Sequence, residues 1–259
     1  MKLVVKIGGA ALDSKELVKK FAATIPSLCK ADHQLVIVHG GGAALTRTLK
    51  QLGCETSFIN GLRVTDSQTR DVAMMVLAGQ LNKQLVAAIG AAGQPAIGLC
   101  GGDLGMFRAA KKQSPDLGYV GEIRSVNIDG IQQLWTGGIV PVVSSLALGF
   151  DGEYYNVNAD QMASACAIAC GAHALIYLTD VPGVQDADGT VIRWLDVKAI
   201  AQMVRQAKVS GGMLPKLDAC TSALKKGVTR VRILPASSVE VLPGFFTHPI
   251  NCGTEVIAS

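Results

Sequence analysis

The sequence predicts an α/β fold, built either as one large domain or as two lobes, and three observations carry that reading. Leu3, Val4, Val5 and Ile7 form a short, mostly β-branched run suited to a buried parallel strand, and the run ends in Gly8-Gly9. The same plan recurs at Leu35-Val36-Ile37-Val38, followed by His39 and Gly40-Gly41-Gly42, and a helical pattern follows each strand. Composition agrees: 49% hydrophobic residues, 29 glycines among 259 residues and only 5% aromatics favour many tight strand-to-helix turns over an all-β sandwich.

The first strand carries one cation, Lys6, near its C-terminal end. Glycines lack a Cβ, so backbone N–H groups can approach an anion, and open α/β sheets bind ligands at the carboxyl ends of their strands. Two glycine turns on one sheet edge therefore suit phosphoryl oxygens. Taken by itself, Lys6 could equally snorkel to water.

Lys+Arg 24 against Asp+Glu 20 gives +4, with no basic stripe and no interleaved aromatics, which argues against nucleic acid or a membrane surface as partner. The first strand begins at residue 2, no charged-then-apolar leader precedes it, and no apolar run reaches the length of a membrane span, so a cytosolic protein is expected. Seven cysteines without a Cys-x-x-Cys pair read as free thiols rather than zinc ligands or disulfides.

Asp13 or Ser14 caps a helix over 15–29 that buries Leu17, Phe21 and Ile25. A helix over 43–52 closes at Gly53 and points its positive dipole end at Gly40 to Gly42. Asn60-Gly61-Leu62-Arg63-Val64-Thr65 is a turn, and Thr65-Asp66-Ser67-Gln68 reads as a capping box opening a helical stretch to about 91. Strands follow at 95–99 and 139–143, with hairpin segments at 107–128 and a short helix at 131–136 between them. An extended segment through Asn156 and Asn158 leads into a small-residue helix over 162–170. The pattern starts afresh near 173, which puts a boundary at 171–172. Asp196 then caps a helix to about 207, and Pro215 is tolerated in the first turn of a helix over 213–226. A strand at 229–234, a helix or turn at 237–246 and a strand at 254–257 complete the chain.

The familiar nucleotide-binding and hydrolase signatures are absent, which leaves phosphate binding to scattered glycines and lysines. Lys216 follows Gly211-Gly212 at a helix start, where it could face a phosphate or simply be exposed. Asp160 also stands at a helix start, where N-capping competes with a role as the carboxylate that positions two lysines. Asn156 and Asn158 point the same way and suit an amide or carboxylate, or are ordinary turn residues. The fork of Arg63 suits a carboxylate, His39 is structural, and Asp180 before Pro182-Gly183 lines either a nucleotide pocket or a plain loop.

Val5-Lys6-Ile7-Gly8-Gly9, Val38-His39-Gly40-Gly41-Gly42, Asn60 to Thr65, Asn156-Val157-Asn158-Ala159-Asp160-Gln161 and Gly211-Gly212-Met213 with Lys216 together resemble the acetylglutamate kinases of the amino-acid kinase superfamily. The resemblance implies a three-layer sandwich, with a central, mainly parallel sheet between helix layers. It implies an N-terminal lobe, 1–172, for N-acetyl-L-glutamate and dimerisation, and a C-terminal lobe, 173–259, for ATP. The implied reaction is ATP-dependent phosphorylation of the side-chain carboxylate of N-acetyl-L-glutamate, in arginine biosynthesis.

By the same resemblance Lys6, Lys216 and Asp160 are catalytic, and Gly41, Gly42, Arg63, Asn156 and Asn158 bind the acyl amino acid. Gly8, Gly9, Gly40, Asp180, Val181, Pro182, Gly183, Val184, Gln185, Lys208, Val209 and Ser210 line the phosphate and nucleotide site. Mg2+ is carried by the nucleotide phosphates, with no protein metal site, and the implied assembly is an arginine-insensitive cytoplasmic homodimer. Pro215 departs from the aliphatic residue expected before Lys216 and would tilt that lysine. A kinase for another acylated amino acid, such as a carrier-linked aminoadipate, and a non-catalytic amino-acid sensor of the same fold are the alternatives.

Overall fold

The apolar run at the start of the chain lies at the centre of an eight-stranded sheet. A computed structural model describes residues 1–209 and 211–258. Its strands are β1 (Lys2–Ile7), β2 (Gln34–His39), β3 (Phe58–Ile59), β4 (Leu62–Arg63), β5 (Ala96–Leu99), β6 (Phe107–Lys111), β7 (Gly121–Val126), β8 (Val140–Ser144), β9 (Leu146–Gly149), β10 (Tyr154–Asn156), β11 (Ala174–Thr179), β12 (Trp194–Asp196), β13 (Arg230–Pro235) and β14 (Thr254–Ile257). The helices are α1 (Ala10–Asp13), α2 (Lys15–Lys30), α3 (Gly42–Gln51), α4 (Ser67–Ala73), α5 (Asn82–Ala91), α6 (Asp129–Thr136), α7 (Ala159–Cys170), α8 (Val197–Arg205) and α9 (Met213–Lys225). A π-helical stretch, Met74–Leu81, joins α4 to α5.

The main sheet runs β12-β14-β13-β11-β1-β2-β8-β5. β1 pairs in parallel with both β2 and β11, which sets Lys6 in register with Val38 and Tyr177. Among the described residues of this sheet only the β13–β14 pair is antiparallel, so the sheet is mainly parallel as expected. Side chains alternate across a strand, and this decides where Lys6 goes. Leu3, Val5 and Ile7 pack with Phe21, Ile25 and Leu28 of α2 and Leu85 and Ile89 of α5. Val4 packs on the opposite face with Met162, Ala163 and Cys166 of α7 and Leu217 and Cys220 of α9. The result is the helix–sheet–helix sandwich. Lys6 shares the face of Val4 and so looks toward α7. A second sheet, β10-β9-β6-β7, contains the expected hairpin.

Most local signals fall where the sequence predicts them, with three corrections. Ser14 caps α2 by accepting from the N–H of Leu17, and Asp196 caps α8 by accepting from Ala199. At α4 the capping oxygen belongs to Asp66, which accepts from Thr69 at 2.7 Å. Thr65 is buried instead, and its hydroxyl donates to the Arg63 carbonyl. The stretch Ser67–Ala91 also corrects the expectation that no apolar run reaches membrane length, since by length and composition it could cross a bilayer. Val72, Val76, Leu77, Leu81, Leu85 and Ile89 are buried against the rest of the fold, so its apolarity serves the core. The third correction is the π-helical widening inside this stretch, which its sequence did not announce. All seven cysteines are free, and Cys166, Cys170 and Cys220 are buried.

The last strand is held by a buried ion cluster. Arg232 Nη1 donates to Glu255 Oε2 at 2.6 Å, Arg230 Nε donates to Glu255 Oε1 at 3.0 Å, and Arg232 Nη2 donates to the carbonyls of Ile250 and Cys252. Removing one partner of a buried pair leaves an uncompensated charge. Glu255→Ala is therefore expected to lower stability by about 3–5 kcal/mol in urea unfolding at neutral pH; a loss below about 1 kcal/mol would contradict this reading of the cluster.

Candidate active site

Three residues remote in sequence meet at the carboxyl end of β1. Lys6 Nζ lies 2.9 Å from Asp160 Oδ1, an ion-pair contact, and Lys216 Nζ donates to Asp160 Oδ2 at 2.8 Å. All three side chains are buried. Asp160 is free to sit between them because it does not cap α7. Asn158 does, accepting from the N–H groups of Asp160 and Gln161. Pro215 falls in the first turn of α9, where its missing N–H costs no helical bond, and it does not divert Lys216. Lys6 folds back over Gly8, and a Cβ there would come within 2.7 Å of its Nζ.

Burial by itself pushes Asp160 up, but the charges of Lys6 and Lys216 and their hydrogen bonds overcome it and hold the carboxyl at about 2. Burial, opposed by Asp160 and reinforced by Lys216, pulls the Lys6 ammonium below the ordinary lysine value. Tyr177, on the neighbouring strand, supports both partners: its hydroxyl donates to the Asp160 carbonyl at 3.1 Å, and Lys216 Nζ lies 5.2 Å from its ring centroid.

Two cavities meet at this cluster. One, of about 200 Å³, is lined by Gly8, Gly9, Gly40 to Gly42, Arg63, Asn156 and Asn158 with Lys6 and Asp160. The other, of about 420 Å³, is lined by Asp180, Val181, Gly212, Met213 and Lys216 together with Lys6, Gly8, Gly9 and Asp160. The first is roofed by the β3–β4 hairpin, where Asn60 (φ 50°) and Gly61 (φ 77°) take the left-handed conformations a two-residue turn requires.

Arg63 is buried in the first cavity without a carboxylate partner among the described residues. Its Nη2 donates to Thr46 Oγ1 at 2.6 Å and to the Gly42 carbonyl at 3.2 Å, its guanidinium lies 4.5 Å from the Phe58 ring centroid, and Nη1 is buried with no hydrogen-bond partner. A guanidinium in that state calls for an anion. Asn156, which lines the same cavity, donates to Thr65 Oγ1 at 3.3 Å.

Other residues expected at the nucleotide line neither of these two cavities. Val184 and Val209 are buried in the hydrophobic core, Gly183 packs against Thr254 and Gly253, Gln185 donates to Gly189 within its own turn, and Lys208 is exposed. Pro182 is exposed and lines neither cavity, and Ser210 falls outside the described residues. Sequence reasoning missed Thr46 and Tyr177, which carry no motif of their own; Tyr177 stands out only as a polar aromatic in an otherwise aliphatic strand.

The depressed carboxyl has a consequence for stability. An unfolded aspartate titrates near 4 and Asp160 at about 2, so its contribution, on the order of 2 kcal/mol, is complete above pH 4 and is lost as pH falls through 2. Asp160→Asn should abolish that component of the acid sensitivity, measured as urea midpoints between pH 7 and pH 2.5; identical acid profiles in the two proteins would contradict it.

Comparison with known proteins agrees with this geometry. A model of the amino acid kinase family matches residues 1–235. The acetylglutamate kinase of Koribacter versatilis is 61% identical over 260 residues, and that of Acidobacterium capsulatum 58% over 260 residues, each alignment covering 100% of both chains. The crystal structure of smu.665 from Streptococcus mutans UA159 superposes with a TM-score of 0.85 at 27% identity, covering 100% of this chain and 99% of that one. The family match runs through β13 and so takes in both lysines and the aspartate between them, and the chain belongs to the amino acid kinase family.

Proposed function

We propose that the protein transfers the γ-phosphoryl group of ATP to the side-chain carboxylate of N-acetyl-L-glutamate, giving an acyl phosphate and ADP. The observation that carries this reading is the cationic bridge between two cavities. Lys6 and Asp160 belong to both, Arg63 presents an Nη1 without a partner among the described residues in one, and Lys216 faces the other. Full-length relatives at 61% and 58% identity that bear the name acetylglutamate kinase support it.

The chemistry fits the residues. A carboxylate oxygen is already an anion, so attack on phosphorus with loss of ADP needs no general base. The one histidine nearby, His39, is buried, and burial holds it down to about 4, so it stays neutral. The task left to the protein is to bring two negative groups together and stabilise charge on the migrating phosphoryl. In this reading Lys6 and Lys216 supply that charge and Asp160 orients them. The N–H groups of the Gly8-Gly9 and Gly41-Gly42 turns bind phosphoryl oxygens, Gly40 being tied through its own N–H to the Ile7 carbonyl, Arg63 grips the α-carboxylate, and Asn156 and Asn158 meet the acetamido group.

Asp180 and Val181 border the nucleotide, with Pro182 to Gln185 and Lys208 to Ser210 proposed for its outer part. Among the described residues no three His, Cys, Asp or Glu side chains gather into a metal site, and Mg2+ is proposed to arrive on the nucleotide phosphates. Residues 1–172 form the acyl-amino-acid lobe and 173–259 the nucleotide lobe of a cytoplasmic homodimer in this proposal.

The direct test measures ADP release with N-acetyl-L-glutamate against free glutamate. The acylated substrate should be favoured by about 10²-fold or more in kcat/KM, because the site's polar groups go unpaired without the acyl amide; equal rates would overturn the reading. Arg63→Ala should raise KM for N-acetyl-L-glutamate by about 30-fold or more, with KM for ATP little changed. Equal rises for both substrates would contradict its role.

A further inference from the structure

The π-helical stretch ends at Asn82, a fully buried residue that lines neither cavity at the cluster. Its Nδ2 lies 2.9 Å from the Val142 carbonyl, 3.4 Å from the Leu99 carbonyl and 3.1 Å from His39 Nε2. Two carbonyls can only accept, so the amide must present its NH2 group on this side. The same nitrogen then faces His39 Nε2, which must be the acceptor. The ring proton is thereby confined to Nδ1, and Nδ1–H donates to the Gly40 carbonyl at 2.9 Å.

A peptide unit is planar, with its C=O and N–H pointing in opposite directions. Holding the Gly40 carbonyl therefore sets the direction of the Gly41 N–H. Gly41 lines the cavity that contains Lys6, and its N–H has no acceptor among the described residues. The other side of Gly41 is closed by Leu77 and Leu81 of the π-helical stretch, into which a Cβ at Gly41 would run. The turn is thus fixed twice, by Leu77 and Leu81 packing from beneath and through Asn82 and His39 from the side.

We propose that Asn82 is a positioning residue for phosphoryl transfer: by confining His39 to one tautomer it aims the Gly41 N–H at the migrating group. The proposal rests on the phosphoryl-transfer reading for its rate effect, while the tautomer can be observed without turnover. Gly98 on β5 offers a second handle. A Cβ there would run into Asn82 Oδ1, and Gly98 borders neither cavity at the cluster, so Gly98→Ala disturbs Asn82 from behind.

The test combines 15N-histidine NMR with kinetics. In the wild type the His39 signal, identified by its loss in His39→Gln, should show Nδ1 protonated and Nε2 bare. In Asn82→Leu the Nε2–H form should appear. Both Asn82→Leu and Gly98→Ala should lose about tenfold or more in kcat, with both KM values nearly unchanged, because a misaimed donor is felt in the transition state. Wild-type His39 protonated on Nε2 would overturn the proposal even if neither variant folds, as would either folded variant keeping kcat within about twofold of wild type. An inactive wild type with the expected tautomer would instead count against the activity.

Discussion

The site depends on one carboxylate serving two ammonium groups. Lys6 and Lys216 come from β1 and α9, and both lie within 3 Å of the oxygens of buried Asp160. Two buried cations without that carboxylate would repel each other and lose their hydration, which is the expensive way to bury charge. With it, the cluster retains one net positive charge at the mouth of two cavities. That residual charge suits a phosphoryl group in transit, because it is present before the substrates arrive and needs no reorganisation when they react.

The same economy governs the acceptor side. Arg63 is held on one edge by Thr46 and the Gly42 carbonyl and left open at Nη1, so its orientation is set while its charge is not yet matched. The glycines earn their positions sterically as well as through their N–H groups. Gly8 lets the Lys6 side chain fold over the turn, and Gly41 lets Leu77 and Leu81 close up beneath it. Each cavity wall is thus pinned by packing, with its polar edges turned inward.

Much of this was legible before the structure. The alternation in β1 is enough to send Lys6 to the face opposite Leu3, Val5 and Ile7, and strand runs ending in glycine announced two turns on one edge. Competition among short polar residues was harder. Thr65 and Asp66 can both cap a helix, as can Asn158 and Asp160, and which oxygen reaches the free N–H groups depends on the path of the incoming chain. The π-helical widening and the Asn82–His39 contact were illegible for a different reason. The Asn82–His39 contact joins residues 43 apart in sequence, on which local periodicity is silent, and the widening breaks the 3.6-residue period that a sequence reading assumes.

The most direct test of the shared carboxylate is the single-turnover rate of phosphoryl transfer in Lys6→Ala, Lys216→Ala and the double variant, all with saturating substrates. Two lysines acting on one phosphoryl group should each be worth about 10²-fold or more, and the double variant should be slower than either by much less than the product of the two losses. Rates within a few-fold of wild type in either single variant, or strictly multiplicative losses, would contradict the account.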